Sequence, residues 1–156
     1  PENLGGITRT CEALGATALY VPNLRMVDDR VYQSLAVTSH KWLPIFECKF
    51  DETYQDLSKL IKSLKNDRNY KVLGLEQTSD SSTLGSEIEK SETTFEETGQ
   101  KTAILLGAEK TGIPSELIPM LDGCIEIPQA GVTRSLNVHV SASIMIWEYV
   151  RRVLYQ

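Results

Sequence analysis

The sequence predicts an α/β domain built on a mainly parallel sheet flanked by helices. Segments with helical spacing of apolar residues alternate regularly with short runs of strand character, the order that crossover connections between parallel strands impose. Two of those runs, Tyr70 to Leu75 and Thr102 to Leu106, are apolar along most of their length, as in strands covered on both faces. The chain has 156 residues, 41% of them apolar, enough for one core and too short for two ordinary ones. A single domain over residues 1–156 is therefore expected.

Residues 3–14 carry Leu4, Ile7, Cys11 and Leu14 at the spacing of one helix face, and Gly15 suits the helix end. A strand from Ala18 to Val21 follows, then a short helix from Asp28 to Leu35 and a strand from Pro44 to Cys48. Thr53 to Leu64 reads as a helix with Leu57, Leu60, Ile61 and Leu64 on one face. After the two buried strands, Cys124 to Ile127 is a further strand, and Ser135 to Tyr155 a closing amphipathic helix. Residues 79–101 break the pattern: Ser, Thr and Glu with almost no apolar anchor read as a long flexible acidic insert or a partly ordered one. A solvated insertion, a lid and a partner contact are its three readings.

The net charge of −5 opposes a free-standing nucleic-acid binder, because neutralising phosphate takes clustered Lys and Arg. A local basic surface, a second subunit or a further region of protein would each relieve that objection. Much of the acid is concentrated in the insert, at Glu87, Glu89, Glu92, Glu96 and Glu97, and ordinary salt screens it over roughly 10 Å. Cys11, Cys48 and Cys124 are odd in number and far apart, so they read as reduced thiols. Two His without ligand spacing make no metal set, and no metal is expected. No apolar run reaches the roughly 20 residues that cross a bilayer, and no signal sequence opens the chain. A soluble protein of the cytoplasm or nucleus is expected, without membrane contact. Because the sequence opens at Pro1, directly on a functional-looking segment, an excised C-terminal domain lacking an upstream region is also expected.

Three segments carry the functional signal. Asn3 and Arg9 stand six residues apart ahead of Ala13 and Gly15. Thr102 to Pro114 runs from a strand into Gly107, Glu109 and Gly112. Ile125 to Ser141 runs from a strand through a Pro/Gly turn into Ser135, Leu136, Asn137 and Val138. In this order they resemble the three signature motifs of the SPOUT methyltransferases, in the TrmH/SpoU branch that methylates ribose 2′-hydroxyls of RNA. Any one alone is weak; three in register are hard to produce by chance. The resemblance implies a C-terminal trefoil knot, which the rarity of threaded chains would otherwise exclude. It also implies S-adenosyl-L-methionine as methyl donor, with S-adenosyl-L-homocysteine as product, and tRNA as substrate, at guanosine 18 of the D loop. The insert departs from the family, whose connection there is usually short.

By the same resemblance, the catalytic set is Arg9, Asn3, Glu109, Ser135 and Asn137. A ribose hydroxyl is too weakly acidic to react unaided, so the developing alkoxide needs a cation or a base. Arg9 suits the cation role, since Arg is effectively always protonated; standing alone it would read as a solvated helix residue. Asn3 holds Arg9 or the ribose, or serves as an N-cap. Glu109 fixes a neighbouring Arg or backbone amide, or faces solvent in a turn. Ser135 and Asn137 position substrate, and Ser135 also caps the last helix. Arg134 reads equally as a phosphate contact and as a surface cation. Leu75, Gly107, Ile127 and Leu136 border the adenosine of the cofactor by their places in the motifs, Gly107 because backbone must approach the ligand closely. His40, Lys41 and Trp42 read either as a base-stacking cluster or as a Trp packed at a strand edge. His139 stands where the family often has a small residue.

The resemblance further implies a homodimer through the last helix and the first motif, one protomer's Arg completing the other's site. Ile144, Ile146, Trp147, Val150, Val153 and Leu154 give the last helix enough apolar surface for both a core and a partner. Two rivals stand beside this reading. A catalytically silent SPOUT domain would bind RNA or protein without transferring a methyl group. A flavodoxin-like enzyme would bind its ligand at the strand ends without the third motif.

Overall fold

A computed structural model describes residues 1–85, 100–108, 111–133 and 135–153. The chain divides into two compact units, Pro1–Leu57 and Ser58–Gln156.

In the first unit, helix α1 (Glu2–Ala13) leads to strand β1 (Leu19–Val21), helix α2 (Arg30–Ala36) and strand β2 (Ile45–Glu47). β1 and β2 pair in parallel, Leu19 opposite Ile45 and Val21 opposite Glu47. α1 ends as its sequence predicts. Gly15 takes φ +78°, and the amides of Gly15 and Ala16 donate to the carbonyls of Glu12 (3.1 Å) and Cys11 (2.8 Å), a Schellman closure. Gly5 lets α1 approach α2 closely: a Cβ there would lie 2.7 Å from the Tyr32 carbonyl oxygen. Beside this crossing the fully buried Tyr32 hydroxyl donates to Thr8 Oγ1 (3.0 Å), which donates to the Leu4 carbonyl (2.8 Å). α2 begins later than expected, because Asp29 is its N-cap, accepting from the amides of Val31 and Tyr32, and Leu24–Asp28 forms a separate 3₁₀ turn.

Helix α3 (Gln55–Asn66) carries Leu57, Ile61 and Leu64 on its buried face. The second unit continues with β3 (Lys71–Leu75), β4 (Ser82–Thr83), β5 (Thr102–Leu106), β6 (Gly123–Glu126) and helix α4 (Val138–Val153). The four strands form one parallel sheet in the order β4-β6-β3-β5. Leu73 of β3, Ile125 of β6 and Met145 of α4 form the core cluster, with Ile104 and Leu84 against it. Lys65 at the end of α3 pairs with Asp122 at 2.8 Å and donates to the Met120 carbonyl, while Asp122 accepts from the Val72 amide. These bonds join the helix end to the entries of β3 and β6.

One expectation is narrowed here and one corrected. The beginning of the 79–101 segment is ordered: β4 pairs with β6, Ser81 and Thr83 donate to the Glu126 carboxylate, and Leu84 packs on the core cluster. Hydrogen bonds rather than an apolar pattern hold this strand, so periodicity missed it. Residues 86–99 lie outside the described residues. The closing helix begins at Val138, not at Ser135, because Asn137 caps it: Asn137 Oδ1 accepts from the amides of His139 (2.9 Å) and Val140 (3.3 Å).

Candidate active site

Parallel strands present ligands to the carboxyl ends of the sheet, and the second unit has a cavity there of about 370 Å³. That volume lies within the range of sites for small organic ligands. Leu75 and Glu76 at the end of β3, Leu106 and Gly107 at the end of β5, and Leu136 and Val138 at the mouth of α4 line it. Three of the four residues that the sequence assigns to the cofactor, Leu75, Gly107 and Leu136, therefore come together. Ile127 follows β6 but is not among the lining residues.

The floor of the cavity is held by a carboxylate that sequence reasoning missed. Glu76 Oε2 accepts from the Ile113 amide at 2.9 Å. A Cβ on Gly107 would lie 2.8 Å from that oxygen and 2.8 Å from the Gly112 carbonyl carbon, and one on Gly112 would collide with the carboxylate. Gly112 also takes φ +67°. The loop closes on itself through paired bonds between Ala108 and Gly112 (3.0 and 2.8 Å). Both glycines thus exist to let backbone and carboxylate meet, and the loop edge faces the cavity. The available signal was position: Glu76 directly follows a buried parallel strand, where site residues gather.

The residues that the resemblance assigns to catalysis fall in both units. Asn3 and Arg9 lie in α1, in the first unit, with Arg9 exposed and making no hydrogen bond or ion pair among the described residues. Six helical residues separate them by about 9 Å along the axis and roughly 120° around it. Pro1, not Asn3, occupies the N-cap position. Ser135 is exposed and precedes the helix, and Asn137 performs the capping expected of Ser135. Glu109 and Arg134 lie outside the described residues.

The thiols are not nucleophiles. All three are free and buried, and burial pushes Cys11 up to about 11. Burial raises Cys48 and Cys124 too, helped by the negative charges of Asp56 and Glu76 respectively. Among the described residues, no group of three His, Cys, Asp or Glu side chains is placed to hold a metal ion. No helix among them is long and apolar enough to cross a membrane. The reading of Trp42 as a packed strand-edge anchor is overturned. Leu43 is the buried anchor and Trp42 is 74% exposed.

The parallel sheet of the second unit, with a cavity at its strand ends beside the mouth of α4, is the arrangement in which α/β proteins bind small ligands. Residues 1–147 match the profile of the SpoU rRNA Methylase family, and the chain belongs to it. It is 45% identical, over 99% of its length, to the Mus musculus tRNA (guanosine(18)-2′-O)-methyltransferase TARBP1, of which it spans 9%. It is 30% identical to the tRNA (guanosine(18)-2′-O)-methyltransferase of Thermus thermophilus, covering 99% of this chain and 71% of that protein. Among solved structures, the AdoMet-bound rRNA methyltransferase from Sinorhizobium meliloti superposes with a TM-score of 0.77 at 24% identity, over 97% of this chain and 52% of that one.

Proposed function

We propose that this chain is the methyltransferase domain of an RNA 2′-O-methyltransferase, acting on guanosine 18 of the tRNA D loop with S-adenosyl-L-methionine as donor. The observation that carries the reading is the cavity bordered by Leu75, Gly107 and Leu136, in a chain that shares a family with tRNA guanosine-18 methyltransferases. Apolar walls at Leu75, Leu106, Leu136 and Val138 suit an adenine ring. The backbone freed by Gly107 and Gly112 supplies polar groups at close range. Ile127 and a trefoil knot through the second and third motifs complete the pocket in this reading.

The ribose oxygen gains a methyl group as the carbon–sulfur bond of the donor breaks, and its proton passes to a phosphate oxygen or water. Arg9, permanently cationic, stabilises the alkoxide as it develops. Asn3 binds the ribose, Glu109 accepts from an Arg or a backbone amide, and Ser135 and Asn137 position substrate at the mouth of α4. The active species is a homodimer joined through α4, working in the cytoplasm or nucleus without a metal.

Calorimetric titration with S-adenosyl-L-homocysteine tests the pocket, and methyl transfer to a tRNA transcript tests Arg9. Leu136→Glu puts a charge on the cavity wall at a partly exposed position and is expected to weaken binding at least tenfold. Arg9→Ala is expected to keep that binding and lose transfer by about a hundredfold or more. Unchanged binding in Leu136→Glu removes the pocket assignment, and undiminished transfer in Arg9→Ala removes the mechanism.

A further inference from the structure

The 3₁₀ turn that carries His40, Lys41 and Trp42 has no part in the cavity, yet it is built to hold an indole in water. Trp42 is 74% exposed, although a Trp side chain is ordinarily among the most deeply packed. The turn beneath it is held by hydrogen bonds. The buried Ser39 hydroxyl donates to the Ala36 carbonyl at 2.6 Å, and the amides of Trp42 and Leu43 both donate to the Ser39 carbonyl at 3.0 Å. Leu43, 4% exposed, anchors the next residue. On the other side of the turn His40 lies against the Tyr32 ring, centroids 6.1 Å apart, and its Nδ1 is buried without a hydrogen-bond partner among the described residues.

The backbone bears strain to make this turn. Val37, a β-branched residue, sits at φ +57° and ψ −108°, a conformation that costs on the order of 1–3 kcal/mol and persists where the surroundings enforce it. The local charge is also distinctive in a chain of net −5. Residues 31–46 contain Lys41 and no carboxylate. An exposed ring on a hydrogen-bonded turn, next in sequence to a cation, is what a single-stranded nucleotide meets on a protein: a face for the base and a charge for the phosphate.

We propose that Trp42 is a stacking platform for an unpaired nucleobase of the RNA substrate, with Lys41 contacting the adjoining phosphate. The proposal rests on RNA being the substrate, as argued above, and assigns part of its recognition to a surface outside the cavity. Its specificity is for an exposed base rather than for a sequence, since any base has a face to stack.

The test uses a tRNA transcript at fixed salt and this chain with Trp147→Phe, which leaves Trp42 as the sole tryptophan. Its emission is expected to be that of a solvated indole and to be quenched saturably by the tRNA. Trp42→Ala is expected to weaken tRNA binding from about fivefold to about a hundredfold, Trp42→Phe to restore most of it, and both to leave S-adenosyl-L-homocysteine affinity unchanged. Lys41→Gln is expected to lower the salt slope of binding by about one. An unchanged tRNA affinity in Trp42→Ala overturns the proposal, as does emission that responds to protein concentration instead of RNA, which would mean a second copy covers the ring. So does wild-type chain that binds S-adenosyl-L-homocysteine but no tRNA. Trp42-dependent tRNA binding without cofactor binding or transfer would instead sink the proposed activity and leave the surface standing.

Discussion

Glu76 and Gly112 show how one side chain dictates another residue's identity. Gly112 is held at φ +67° with a carboxylate where its Cβ would be, so two separate costs oppose any substitution. Gly112→Ala is expected to destabilise the chain by roughly 2–4 kcal/mol, of which about 1–2 belongs to the backbone conformation. Removing the carboxylate with Glu76→Ala should leave only that smaller part, and a double-mutant cycle by urea denaturation measures the difference. Equal costs in both backgrounds would show that the carboxylate does not press on position 112. At this scale the sequence was partly legible. Gly107 stood out because a motif brackets it, and Leu136 for the same reason. Glu76 did not, because its role is set by the fold bringing residue 113 back to residue 76, which no local pattern records.

The helix α4 illustrates what a single element can carry on several faces. Ala142, Met145 and Val150 face the core, while Val140, Ile144 and Trp147 lie at helical spacing on the opposite side and are exposed. Near its end Glu148 accepts from Arg151 Nε (2.9 Å) and Nη2 (2.7 Å) and from Arg152 Nε (2.6 Å). Arg151 foremost, then Arg152, holds the Glu148 carboxyl down to about 2, against 4.5 for an ordinary glutamate. A depressed carboxylate contributes stability that is full above the unfolded value and is lost as pH falls through 4.5 toward 2. Glu148→Gln is therefore expected to lose about 1–2 kcal/mol at neutral pH, allowing for the exposure of Arg151. The deficit against wild type should shrink as pH drops below 4.5, followed by urea midpoints; a deficit that stays constant with pH would contradict the ion pairing. Element existence was well predicted by apolar spacing, and element ends less so. α2 and α4 both start where an Asp or Asn side chain caps them, and β4 is held by hydroxyl-to-carboxylate bonds that hydrophobic patterning does not see.

For the whole molecule, the exposed stripe of α4 is the surface on which the proposed homodimer can be tested. Val140, Ile144 and Trp147, the last 51% exposed, give the face opposite the core an apolar surface of the kind that marks interaction sites. If it is the dimer contact, Ile144→Glu with Trp147→Glu should give a monomer by light scattering at micromolar concentration, with the core face of α4 intact. A wild-type monomer under the same conditions would refute the dimer. The fold class was readable from the alternation of elements, because each segment announces itself locally. The division into units after Leu57 was not, since it falls within a helix whose apolar face runs on without a break.

The strand order β4-β6-β3-β5 bears on how the chain is made. β4 leaves the ribosome soon after β3, but its strand partner is β6, some forty residues later. Until β6 emerges, β4 has no ladder to join, and β3 can pair only with β5. Synthesis therefore passes through an interval in which an apolar parallel strand has an open side. The last strand to appear, inserted between two earlier ones, closes it.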